Sequence, residues 1–318
     1  MILYRLICCS LLCVLTFGQP LFSQQNELQT AIALFNKNKV KEAKAILIKL
    51  HKNQPNNLTV QEYLGDVAAQ EKEWDDAIEY FEELTETQPN NAEYHFKLGG
   101  AYGMKALSGS KFMAITLIGD IKDEFTRASE LDPKHIATRW ALVEFYLQLP
   151  GIAGGSTRKA EKYANELMTI SPINGYLSKG YIAESEEEEA LAETYYKKAL
   201  QLGADMKSFH DLKDLPVGED QTVKKLDHPN RNHLNYQMGK VSAEYNLNPQ
   251  LGISSLKMYI KNHTPQDGPS WEWAYYRLAQ IYKNLNDKPS ALKYIKYAIR
   301  GDSDFDEALI AKREIDAM

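Results

Sequence analysis

His228 and His233 flank the stretch Pro229-Asn230-Arg231-Asn232, and His210, Asp211 and Asp227 lie close by in the chain. Imidazoles and carboxylates at short range are what a divalent metal site or a proton-transfer site is built from. The spacing fits neither. There is no His-Glu-x-x-His, no pair of histidines one helical turn apart and no cysteine beside them. A Gly-x-Ser-x-Gly nucleophile elbow is also missing. Gly154-Gly155-Ser156-Thr157-Arg158-Lys159 opens a helix, where free backbone N–H groups attract anions. It lacks the Gly-x-x-x-x-Gly-Lys-Ser/Thr spacing of a phosphate loop, so Ser156 or Thr157 reads as an ordinary helix cap. No catalytic residue, no metal ligand and no cofactor is assigned. The enzyme alternative is a hydrolase carried by the Asp205–Arg231 insert, since catalytic groups also assemble from residues distant in sequence.

The elements that carry these residues repeat. Gln54-Pro55-Asn56-Asn57 returns 34 residues later as Gln88-Pro89-Asn90-Asn91, Gly65 returns as Gly99, and Ala43 as Ala77. A fixed period of this length marks a solenoid of two-helix units. Each unit leaves a hydrophobic face uncovered until its neighbour stacks on it. Leu64, Gly65, Ala68, Ala77, Phe81, Leu84 and Pro89 fall where the tetratricopeptide repeat wants large, small and helix-ending residues. The chain resembles that family over nearly its whole length after residue 23.

The resemblance implies an all-α, right-handed superhelical solenoid of about seven units, some fifteen helices, closed by a capping helix. Units 1–5 occupy 24–204, with insertions near 103–121 and 149–156. An irregular insert follows at 205–231, in which Met206 to Leu215 reads as a short helix. Units 6 and 7 occupy 232–304 and the cap 305–318. If the insert is flexible, the last two units pivot against the first five. In the fifth unit, Ser185 with Glu188 three residues on reads as a capping box for the second helix.

In this family the concave face is built from set positions of each first helix. Carried onto this sequence, those positions nominate Trp140, Glu144, Tyr181, Tyr236, Lys240, Trp273, Tyr276, Gln280 and Lys283 as a partner-binding groove. Aromatic rings interleaved with a few charges suit a protein or peptide partner. The bland alternative is that several of these rings pack against the next repeat. The Lys/Asn pair by which chaperone adaptors of the family hold a carboxylate occurs in none of the units. The first insertion carries the apolar run Phe112 to Ile118, expected as an extended hairpin. Phe112, Ile115 and Ile118 then either thicken the wall against the Pro150–Ser156 loop or form a second contact surface.

Arg5 followed by the uncharged run Leu6 to Phe17, broken by Gly18, Pro20 and Ser23, has the layout of a secretory signal peptide covering 1–23. The run is short for a membrane span, so no stable span is expected after cleavage. Cys8, Cys9 and Cys13 all lie inside it, and Leu12 before Cys13 is unsuited to lipidation. The expected product is exported, periplasmic or secreted, and free of thiols. A net charge of −6 argues against nucleic acid as partner. The function expected is a non-catalytic scaffold of the cell envelope. The alternatives are a structural subunit of an envelope assembly, or glycan or small-molecule binding by the aromatic groove.

Overall fold

The computed structural model describes residues 19–210 and 228–318, with side-chain surroundings defined for 25–204 and 232–318. Fifteen α-helices and no strand occur among the described residues. They are α1 (Gln19–Asn36), α2 (Val40–Asn53), α3 (Leu58–Gln70), α4 (Trp74–Thr87), α5 (Ala92–Ser108), α6 (Lys111–Leu131), α7 (Ile136–Gln148) and α8 (Thr157–Ile170). The series continues with α9 (Pro172–Ser185), α10 (Glu189–His210), α11 (His228–Tyr245), α12 (Pro249–Asn262), α13 (Trp271–Asn284), α14 (Lys288–Gly301) and α15 (Asp306–Ala317). Successive helices pack as hairpins and each hairpin stacks on the next.

The repeated Gln-Pro-Asn-Asn motif is the joint between units. Gln54 ends α2, and its backbone N–H returns to the Leu50 carbonyl. Its side-chain oxygen accepts from the Asn57 amide at 2.8 Å, while Asn57 Oδ1 accepts from the Val60 N–H at the start of α3. Gln88 and Asn91 repeat this between α4 and α5, with Asn91 Oδ1 accepting from the Glu93 N–H at 3.0 Å. One residue pair thus satisfies orphan groups on two consecutive helices.

Within units, a different joint recurs. Asn38, Lys72, Glu187 and Asn286 have positive φ, between 57° and 62°. The next N–H in each case reaches five residues back: Lys39 to Leu34, Glu73 to Ala68, Glu188 to Ala183 and Asp287 to Tyr282, all at 2.9 Å. This is the left-handed Schellman ending of the first helix. It corrects the expected capping box. Ser185 belongs to the last turn of α9 and donates backward to the Ile182 carbonyl, and α10 begins only at Glu189.

Units 3 and 4 lack this joint. The first turns at Gly109-Ser110 between two lengthened helices, α5 and α6. The second turns through a short 3₁₀ segment, Gly151–Ala153. Gly154 there has φ +99°, and a Cβ on Gly155 would collide with the Leu149 carbonyl. Ser156 caps α8 by accepting from the Lys159 N–H.

Small-against-large packing holds each hairpin together. A Cβ on Gly65 would fall 2.5 Å from the Phe81 ring, and Gly99 stands against Phe125 in the same way. Gly180 against Tyr196 and Gly239 against Leu256 repeat the relationship. The apolar clusters run on from unit to unit. One of them joins Ala192, Tyr196 and Leu200 of α10 to Leu234 and Met238 of α11 and Leu251 of α12. Units 5 and 6 therefore stack directly. Within the stretch 205–231, α10 continues to His210 and α11 starts at His228, and 211–227 lie outside the described residues. The second half of the short helix expected at Met206 to Leu215 falls there too. The expected leader lies outside the described residues up to residue 18, and α1 already runs from Gln19 through Ser23.

Candidate functional site

Among the first helices of the units, α7, α9, α11 and α13 carry the residues nominated for the groove, and α7 packs on α9 as α11 does on α13. The structure divides these residues into two groups and buries two of them. Trp140 is 5% exposed, and its Nε1 donates to Asn174 Oδ1 at 2.9 Å. Its ring meets His233 edge-on at 5.9 Å and lies 6.5 Å from Tyr181. Tyr236 is also 5% exposed and packs on Tyr259 at 5.2 Å. These two are core residues and not contact residues: their neighbours on the stacked helices leave room for large rings to turn inward.

Around Trp140 the first group is half-buried. Tyr181 sits beneath Lys240, whose Nζ is 5.9 Å from the ring centre. Burial pushes the Glu144 carboxyl above its usual range, with Lys240 opposing. Lys240 also lies 3.8 Å from Glu244, one turn along α11. Burial pulls the His233 imidazole down to about 4, with the Asp267 carboxylate opposing, and its Nε2 has no partner.

The second group lies in unit 7 and leans on the cap. Trp273 packs on Phe305 at 4.5 Å, and Tyr276 on the same ring at 5.4 Å. Gln280 donates to the Tyr276 hydroxyl at 2.9 Å and accepts from Arg277. Lys283 is paired with Glu314 of α15 at 2.6 Å. Arg277 meets Glu244 at 2.7 Å, linking the two groups.

Sequence reasoning missed the N-terminal part of this face. Lys97 on α5 lies 2.6 Å from Glu62 and 2.9 Å from Asp66, both on α3. Burial works against its charge, but Asp66 and Glu62 more than offset that and raise its pKa. Next along, His135 Nδ1 accepts from the Thr138 N–H, so its Nε2 carries the proton and donates to Glu93 at 3.0 Å. Burial raises the Glu93 carboxyl, yet the His135 bond and Lys97 leave it below its usual value. Glu62 and Asp66 stand four residues apart at inner positions, opposite a lysine one unit on. That spacing was the available signal.

The loop joining α12 to α13 was missed as well. Gln266 in that loop donates to Asp66 Oδ2 at 2.7 Å. Thr264 and Asp267 hold the loop's turn, and Tyr259 donates its hydroxyl to the Pro269 carbonyl.

Of the insertion residues, Phe112 and Ile115 are 78% and 66% exposed, whereas Ile118 is half-buried. Leu117 and Ala106, by contrast, pack on the core cluster that holds Tyr146. The run both thickens the wall and leaves a bare tip.

The hairpin stack and its inner face have counterparts in known proteins. The tetratricopeptide repeat family profile matches residues 28–92, and a second tetratricopeptide repeat profile matches 274–304. Both stretches of the chain are tetratricopeptide repeats. Solved structures similar to it include a tetratricopeptide repeat protein from Parabacteroides merdae, 10% identical, covering 92% of this chain and 98% of that one at a TM-score of 0.48. Another is a thermophilic tetratricopeptide repeat protein of Thermus thermophilus, 16% identical, covering 56% of this chain and 90% of that one at a TM-score of 0.47. No curated protein matches the chain in sequence. The two profiles fall on units 1, 2 and 7, which share the Schellman joint, and leave 93–273 unmatched, the lengthened units 3 and 4 among them.

Proposed function

We propose that this chain is a non-catalytic interaction scaffold of the cell envelope, holding a partner protein or peptide against the inner face of its repeats. The observation that carries the reading is that this face already holds non-helical polypeptide. The 263–270 loop reaches Asp66 on α3 through Gln266, and its Asp267 faces His233 on α11. A surface that binds one such segment through side-chain amides and carboxylates is built to bind another. The solenoid is preformed, so little ordering cost falls on its own side. The glycan reading is weakened, because Trp140 and Tyr236, two of its rings, are interior. Export rests on the Arg5, Leu6–Phe17 and Ser23 layout of the first 23 residues.

The test is crosslinking in cells with mass spectrometry, comparing wild type with a Tyr181→Ala/Lys240→Ala variant of matched thermal stability. Loss of the captured partner in the variant supports the groove. Capture unchanged in the variant moves the site elsewhere, and no protein partner in either removes the scaffold reading. Amino-terminal sequencing tests export: a mature chain beginning near Gln24 supports it, and an intact Met1 overturns it.

A further inference from the structure

We propose that the tip of the α5–α6 hairpin docks into the surface of an anionic lipid bilayer. Met104, Leu107, Phe112, Met113 and Ile115 are exposed by 46%, 71%, 78%, 39% and 66%. They flank the Gly109-Ser110 turn on two antiparallel helices. At a rise of 1.5 Å per residue all five lie within about 8 Å of the turn. That matches the roughly 5–10 Å to which amphipathic segments sink at the headgroup boundary.

Two further observations select lipid over a wet protein surface. The first is that the tip's hydroxyls are already engaged by its own backbone. Ser108 donates to the Lys105 carbonyl, Ser110 accepts from the Met113 N–H, and Thr116 donates to the Met113 carbonyl. Polar groups engaged in this way lose less on entering an apolar phase than free ones do. The second is charge. Residues 100–119 contain Lys105 and Lys111 and neither Asp nor Glu, in a chain with 43 acidic residues. Asp120 and Asp123 follow on α6, about 15 Å or more from the turn. From the packed α4, Asp75 reaches the hairpin and pairs with Lys105. Lys111 is in no ion pair among the described residues. Like Lys105, it is long enough to hold its ammonium at headgroup level while its stem lies in the apolar layer. No helix among the described residues is long and apolar enough to cross a membrane, so the contact is peripheral.

This surface is separate from the groove, and its test does not depend on a groove partner. A Phe112→Trp variant of the full chain is mixed with vesicles of phosphatidylglycerol and phosphatidylcholine carrying brominated acyl chains. Its emission is compared with wild type, so that the difference signal reports the introduced indole and not Trp74, Trp140, Trp271 and Trp273. The expected result is a blue-shifted difference emission, quenched about twofold or more by the bromines. Quenching is also expected to fall several-fold in Lys105→Gln/Lys111→Gln chains or in vesicles of phosphatidylcholine alone. An introduced indole whose emission stays water-like with vesicles overturns the proposal. So does a blue shift that appears without lipid and grows with protein concentration, which would assign the tip to a second copy of the chain.

Discussion

The Gln266 amide donates to Asp66 Oδ2 at 2.7 Å across 200 positions of sequence, joining the loop after α12 to a helix of the second unit. Asp66 holds Lys97 at the same time. A stack whose hairpins pack on their neighbours therefore has a contact that reaches back across four units.

Breaking that contact should open the loop without melting the stack. Gln266→Ala removes a single exposed hydrogen bond, worth about 1 kcal/mol. Amide exchange at 264–269 is expected to speed up several-fold while α3 and α5 keep their protection. Unchanged exchange would show that the bond holds nothing in place.

Lys97→Met should be much more damaging. It leaves Glu62 and Asp66 facing each other without their cation, and breaking a buried pair costs about 3–5 kcal/mol. The folded pKa of Lys97 is raised, so the lysine's contribution is present below the unfolded lysine pKa and is lost as pH rises through the folded value. Urea unfolding at pH 7 reads the loss, and a midpoint unchanged from wild type would show that the pairs contribute nothing.

His233 makes the array acid-sensitive. Its folded pKa of about 4 lies below the unfolded value near 6.5, so the unfolded chain binds the extra proton. Stability is full above pH 6.5 and is lost as pH falls towards 4, by about 2 kcal/mol between pH 7 and pH 5. Trp140 touches the ring and reports the loss through its fluorescence. In His233→Phe this part of the pH dependence should vanish. An identical slope in that variant would assign it to carboxylates.

Glu187 occupies a left-handed position with φ 62°, where an L-residue is strained by about 1 kcal/mol. Glu187→Gly should therefore raise the melting temperature, as should Lys72→Gly at the same joint in unit 2. In contrast, Gly65→Ala should cost about 1–3 kcal/mol by overpacking against Phe81, and Phe81→Leu should restore part of it. Calorimetry on these variants separates strain from crowding.

Much of the fold was legible because the repeat writes its packing into residue size. Gly65 and Phe81, or Gly180 and Tyr196, are a close approach and its filler, and their spacing survives from unit to unit. The joints within units were not legible. A left-handed turn at Lys72 or Glu187 has no glycine to mark it, so the acids after Ser185 looked like a helix start. The groove was half legible. Family positions named Tyr181 and Lys240, which lie together, but could not tell that Trp140 and Tyr236 turn inward, because that depends on neighbours such as Asn174 and Tyr259. The Glu62–Asp66–Lys97 cluster needed two units to be read together. The return of Gln266 to Asp66 depends on the pitch of the whole superhelix, which no local pattern encodes.

That return has an evolutionary consequence. Open arrays of this kind gain and lose whole units freely, since a duplicated hairpin finds the same surfaces on both sides. Here an added or deleted unit between α3 and α12 would swing the 263–270 loop away from Asp66 by one full step of the spiral. The contact thus records the unit count without enforcing it, and relatives that keep the Asp66–Gln266 pair should keep the same count of hairpins between them.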